Sequence, residues 1–130
     1  MKSFRILLVF VLLAGLFSCQ SHHKVTFTLV QYNVGAFKKY EASGIEGIAR
    51  VARELGADVL TLNEIDSCTT RTGKVDQLAA FAQEMDGWNH HYAAAMPYQG
   101  GAYGVGVVSS PSFPKVKTGK IALPRVNGYE

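Results

Sequence analysis

Cysteine is scarce in this 130-residue chain, which has only Cys19 and Cys68. Two thiols so far apart exclude a disulfide-dense scaffold, and they lack the short paired spacing of a structural zinc site. Long apolar runs are missing too. The longest, at 6–17, is too short and too one-sided for a comfortable membrane span. No internal repeat, low-complexity tract or Ser-His-Asp arrangement occurs. The glycines of "GGAYGVG" lead into or lie within an apolar stretch instead of opening a helix, which excludes the dinucleotide fingerprint. What remains, 48% hydrophobic and 18% charged residues over a one-domain length, belongs to a globular chain and not to a disordered one.

Lys2 and Arg5 precede the 6–17 run, the layout of a secretory signal. The run ends in Leu16-Phe17-Ser18-Cys19, which resembles the lipobox of bacterial lipoproteins, although Phe17 is bulkier than the usual residue there. The expectation is therefore a signal peptide at 1–18, a lipidated Cys19 anchoring an exported protein to a bacterial membrane, a tether at 19–24, and a folded domain at 25–130. Two or more acyl chains on Cys19 suffice for stable anchoring without a spanning helix. Cleavage removes Lys2 and Arg5 and no acid, so the formal charge falls from +3 to +1. A near-neutral mature chain lacks the basic footprint that binding to a nucleic-acid backbone requires. Cys68 is then left without a partner, and His22 and His23 in the tether have no third metal ligand beside them.

In the domain, "VTFTLVQYN" at 25–33 alternates and is rich in β-branched and aromatic residues, which predicts a strand. The segment 41–55 places Ile45, Ile48, Ala49, Ala52 and Leu55 at helical spacing, and Gly56 follows as a C-terminal stop. A second strand is expected at 58–64. Strand, helix, strand in this order predicts two parallel strands joined by a right-handed crossover. A second amphipathic helix is expected at 75–85 with Val75, Leu78, Ala79, Ala82 and Met85 on one side. Strands at 88–96 and 102–110 would form a hairpin with a long connection through "PYQGG", and a short strand is expected around 115–121. Adjacent His90 and His91 would point to opposite faces and could not easily grip one metal.

Glu64 is the anomaly, an acid closing the apolar stretch Val59-Leu60-Thr61-Leu62-Asn63 and followed by a polar loop with Asp66, Arg71 and Lys74. Parallel strands present their C-terminal ends at one sheet edge, so Asn33 and Glu64 should arrive together where open α/β sheets bind ligands. One reading makes Glu64 a magnesium ligand, since that ion is held by one or two carboxylates with water and substrate phosphate. The other makes it a strand cap paired with Arg71.

"VQYNVGAF", "GADVLTLNEID" and "YGVGVVSS", in this order, resemble the first three motifs of the endonuclease/exonuclease/phosphatase superfamily. "DSCTTRTGKVDQ" and "YQGGAYG" further resemble its bacterial lipoprotein and secreted branch, near sphingomyelinase-like and phosphodiesterase-like members. The resemblance runs from about Val25 to the C-terminus and favours the metal reading. It implies that Glu64 binds Mg2+ or Mn2+, that Asn33 orients the site, and that Arg71 contacts phosphate. It also implies the N-terminal half of a four-layer α/β/β/α sandwich with mixed sheets. Asn63 stands where the family commonly has Gln, and Gly35 where some nuclease members have a second acid. The family's later motifs, Asp-x-Asn and Asp-His, are not found: the last histidine is His91 and no acid falls between Asp86 and Glu130. The expected function is thus the N-terminal portion of an exported, lipid-anchored, magnesium-dependent phosphodiesterase or phosphatase. Lipid or small-molecule phosphate esters are favoured over nucleic acid. The rival readings are an inactive fragment and a non-enzymatic surface lipoprotein on the same scaffold.

Overall fold

The stretches richest in β-branched and aromatic residues pair into one sheet. In the computed structural model, which describes residues 26–39, 44–113 and 119, these strands are β1 (Leu29–Asn33), β2 (Val59–Ser67), β3 (Asn89–Tyr98) and β4 (Gly101–Ser109). Two helices, α1 (Ile45–Glu54) and α2 (Gln77–Glu84), and two 3-10 turns, Gly35–Phe37 and Thr70–Thr72, complete the elements. The expected signal peptide, Cys19 and tether lie outside the described residues, as does the expected strand at 115–121 apart from Gly119.

The strand order is β1-β2-β4-β3. β1 and β2 are parallel, joined through α1 as the strand-helix-strand order requires, and the remaining pairs are antiparallel. The result is a small α/β domain with two helices packed against a four-stranded, mixed, open sheet. Leu60, Leu62 and Ile65 of β2 and Val108 of β4 are fully covered, together with Ala49 and Ala52 of α1 and Leu78, Phe81 and Ala82 of α2. The opposite sheet face carries Leu29, Val105 and Val107, all well exposed.

Local chemistry sets the ends of both helices. Gly56, with φ +61°, ends α1 in the left-handed conformation, and Ala57 N–H donates back to the Ala52 carbonyl. Asp76 caps α2 by accepting from the Ala79 N–H at 3.1 Å. The cap moves the start of this helix past Val75, which stays exposed at 43%, so the expected stripe is corrected: Gln77 and Phe81 join Leu78, Ala82 and Met85 on the buried side. Leu55, expected on the buried stripe of α1, is likewise exposed: it is the C-cap, one turn beyond Ala52, the last buried residue of the helix. Close approach of α2 to the sheet depends on Gly106, where a Cβ would stand 2.6 Å from Leu78 Cδ2.

Two further expectations are corrected. β2 does not end at Glu64 but continues to Ser67, because an extra residue is absorbed between Asn63 and Ile65 and pairing with β4 resumes beyond it. The hairpin has no long connection: β3 extends to Tyr98, and Gln99 and Gly100 alone turn the chain, both at positive φ as a tight hairpin requires. His90 and His91 lie on the edge strand β3 and are exposed, on opposite faces as expected.

Candidate functional site

A regular strand would send the side chain at position 64 to the helix side, beneath Leu60 and Leu62. The bulge prevents this. Ile65 takes that inward place at 0% exposure, and Glu64 is held at φ +60°, a left-handed conformation that costs an ordinary residue roughly 1–2 kcal/mol. The Ile65 carbonyl accepts from the Tyr92 hydroxyl at 3.4 Å. Bulges of this kind re-aim a side chain, and here the one re-aimed is the carboxylate.

Asn33 meets it. At the end of β1, directly across from Asn63, Asn33 donates from Nδ2 to Glu64 Oε1 at 2.8 Å. Its Oδ1 accepts from the Gly35 N–H at 3.0 Å. One end of the amide is thus tied to a donor and the other to a carboxylate, which fixes which way it faces. Glu64 Oε2 receives no side-chain hydrogen bond among the described residues.

Arg71 is not the partner of Glu64. Its Nε and Nη2 donate to Asp66 Oδ2 and Oδ1 at 2.6 and 2.8 Å, a bidentate pair, and the strand-cap reading of Glu64 paired with Arg71 is corrected accordingly. The cause is again the bulge: it turns Asp66 to the side of the sheet opposite Ile65, under the loop that carries Thr69 and Arg71. Asp66 is wholly buried and also accepts from Thr69 Oγ1 at 2.6 Å. The Arg71 guanidinium bonded to it holds the Asp66 carboxyl below its ordinary range, against the opposing effect of burial, and Thr69 adds to the lowering. The hydrogen bond to Asp66 likewise raises the pKa of Arg71. The guanidinium stacks over Tyr98 at 4.6 Å and near Tyr103 at 5.7 Å. Its Nη1 donates no hydrogen bond among the described residues.

Gly35, Ala36, Glu64, Arg71, Met96, Tyr98 and Tyr103 line a cavity of about 300 Å3. A second bulge, at Ala95 in β3, brings Met96 into one cross-sheet row with Tyr103 and Asp66. Burial pushes the Tyr103 hydroxyl above its usual range, and the nearby Glu64 charge adds to the shift. A larger groove of about 870 Å3 lies between the two helices; of the charged residues that line it, Arg53 pairs with Glu84 at 3.7 Å, Arg50 pairs with Glu54 at 3.9 Å, and Lys38 Nζ donates to the Arg71 carbonyl, which leaves Glu46 without an ion pair among the described residues. The acid, amide and cation that chemistry would use meet in the smaller cavity.

Sequence patterns therefore bring Asn33, Glu64 and Arg71 to one place, while Cys19 lies outside the described residues. They miss Asp66 as the buried anchor of Arg71, and they miss the Tyr98–Tyr103 wall. Arg71 follows Asp66 at an offset of five positions, and that spacing is the one local signal for the pair. No family model, curated protein or solved structure matches the chain. No group of three or more His, Cys, Asp or Glu side chains gathers among the described residues.

Proposed function

We propose that this chain carries the metal- and phosphate-binding N-terminal portion of an exported, lipid-anchored phosphodiesterase or phosphatase of the endonuclease/exonuclease/phosphatase type. One observation carries the reading: a bulge places Glu64 in a strained backbone conformation so that its carboxylate meets Asn33 and faces the cavity that also holds Arg71. Strain held at one acid in an otherwise regular strand supports a role for that acid.

The donor chemistry fits Mg2+ or Mn2+. Such ions take one or two carboxylates and complete their shell with water and substrate phosphate, so a lone acid beside a phosphate-binding cation is an adequate protein share. Glu64 would hold the ion through Oε2, with Oε1 kept in place by Asn33. Bound there, the ion would polarise a phosphoryl oxygen and stabilise the charge that develops on it. Arg71, neutralised on one edge by Asp66, presents its Nη1 edge as a directional contact for a phosphate oxygen. Tyr98 and Tyr103 face that guanidinium with their rings and limit the directions in which it can turn. The four-layer sandwich would lay a second sheet over the face bearing Leu29, Val105 and Val107, and groups that activate water would come from that other layer.

Mn2+ titration followed by electron paramagnetic resonance tests this on the detergent-solubilised full chain. Glu64→Gln keeps the shape and removes the charge, so Mn2+ affinity should fall by about ten-fold or more, and inorganic phosphate should raise wild-type affinity in an Arg71-dependent way. Equal Mn2+ binding by wild type and Glu64→Gln refutes the assignment.

A further inference from the structure

Gln77 is the polar side chain of α2 that faces inward, at 4% exposure, and the site just described does not use it. Both ends of its amide are engaged. Nε2 donates to the Ala36 carbonyl at 2.7 Å, and Oε1 accepts from the Asp66 N–H at 2.9 Å. These partners belong to two chain segments that no ladder bond joins at that point, the turn after β1 and the part of β2 beyond its bulge.

Following the bonds outward closes a ring. Gln77 holds the Ala36 carbonyl, and Ala36 sits at φ +55° in the Gly35–Phe37 turn. In the same turn the Gly35 N–H holds Asn33 Oδ1, Asn33 Nδ2 holds Glu64 Oε1, and two residues along β2 the Asp66 N–H returns to Gln77 Oε1. Three left-handed residues, Gly35, Ala36 and Glu64, lie on this ring, and the two that are not glycine tend to relax toward ordinary backbone unless something opposes it. Gln77 bridges the two segments from the buried side. An unpaired donor or acceptor is costly in that buried place, so the ring stays closed.

We propose that Gln77 is a positioning residue for the Glu64 site: it never touches the cation, but its amide sets the distance between the Asn33 turn and the Glu64 bulge and so sets the affinity of the site. A buried leucine or methionine would pack α2 as well and leave the ring open. This proposal rests on the reading of Glu64 as a cation ligand, and the experiment separates the two.

Three variants of the full chain are compared in detergent: Gln77→Met, which removes both bonds at similar volume; Gln77→Glu, which keeps the shape and the accepting oxygen but loses the donor at neutral pH; and Met85→Ala, a core change at the far end of the same helix. Mn2+ affinity is read by electron paramagnetic resonance, and exchange of the Asn33 side-chain amide protons by nuclear magnetic resonance, at a temperature where circular dichroism shows each protein folded. Both Gln77 variants should bind Mn2+ about ten-fold or more weakly, the loss typical of groups that orient metal ligands, and should exchange the Asn33 protons faster. Met85→Ala should be destabilised yet match wild type in both readouts. Gln77 variants that behave like Met85→Ala overturn the proposal, as does failure of both to fold while Met85→Ala folds. If wild type itself binds no Mn2+, the cation reading fails; unchanged Asn33 exchange in the Gln77 variants then overturns the brace as well, and faster exchange upholds it.

Discussion

Replacing Glu64 by glycine and, separately, by alanine divides the acid's two burdens, its charge and its backbone. Both substitutions delete the carboxylate and the bond from Asn33, so both begin with the same loss. Alanine keeps a Cβ at φ +60° and with it the left-handed penalty of roughly 1–2 kcal/mol. Glycine sheds that penalty, offset by about 0.4–1 kcal/mol for the greater freedom of its unfolded chain. The glycine variant should therefore be the more stable by about 1 kcal/mol, which in a domain of this size separates the melting temperatures by about 4–8 °C. Thermal melts by circular dichroism, with chelator present to remove any contribution from bound ions, provide the comparison. Mn2+ titration of the same samples should find neither variant binding. An alanine variant that melts at or above the glycine variant would falsify the view that the bulge holds Glu64 under strain, and a glycine variant that binds Mn2+ like wild type would remove the carboxylate from the site.

Asp66→Asn should lower stability by about 1–3 kcal/mol near neutral pH, less than for a fully buried pair because Arg71 is 36% exposed. Because the folded pKa of Asp66 is depressed, its contribution is complete above the unfolded value of about 4 and is lost as pH falls through the lower folded value. The acid limb of a pH–stability profile should accordingly be shallower in Asp66→Asn, and parallel limbs would contradict the pairing. Gly106→Ala forces a Cβ into contact with Leu78 and should cost roughly 1–3 kcal/mol in a urea melt, while Gly44→Ala, with open space around it, should lack that steric penalty. Cys19→Ala should abolish labelling by a fatty-acid probe, and labelling that survives the change would remove the anchor.

Much of the site could be read from residue order because parallel strands bring their C-terminal ends together whatever their sequence. Asn33 and Glu64 needed only a strand, a helix and a strand between them to become neighbours, and they are hydrogen-bonded. What stayed hidden depends on where one strand takes an extra residue. Without the bulge, Asp66 looks like loop and Glu64 looks like a strand end within reach of Arg71; with it, Arg71 pairs with Asp66 and Glu64 meets Asn33. Val75 misled for a different reason, since the apolar spacing begins one residue ahead of Asp76, whose side chain starts α2. Gln77 carried no signal because a helix-start glutamine is ordinarily solvated, and only the depth of α2 against the sheet makes its two bonds matter. The wall of Tyr98 and Tyr103 needed the tight turn at Gln99–Gly100 to set its register.

The extra residues at Glu64 and Ala95 stand on the two neighbours of β4, one on each side of Gly104, so their kinks fall nearly on one line across the sheet. That line acts as a crease. Below it, alternation serves the helices, with Leu60, Leu62 and Val108 pointing inward. Above it, the parity of β2 and β3 has been switched while that of β4 has not, and Asp66, Tyr103 and Met96 stand in a single row facing away. A strand ordinarily commits each position to core or surface along its whole length; the crease lets one strand make that choice twice. Deleting Ala95, which does not line the cavity, would restore a regular ladder between β3 and β4 and reverse the choice for Met96 and Tyr98 beyond it, and the cavity would be dismantled without any of its own side chains being changed.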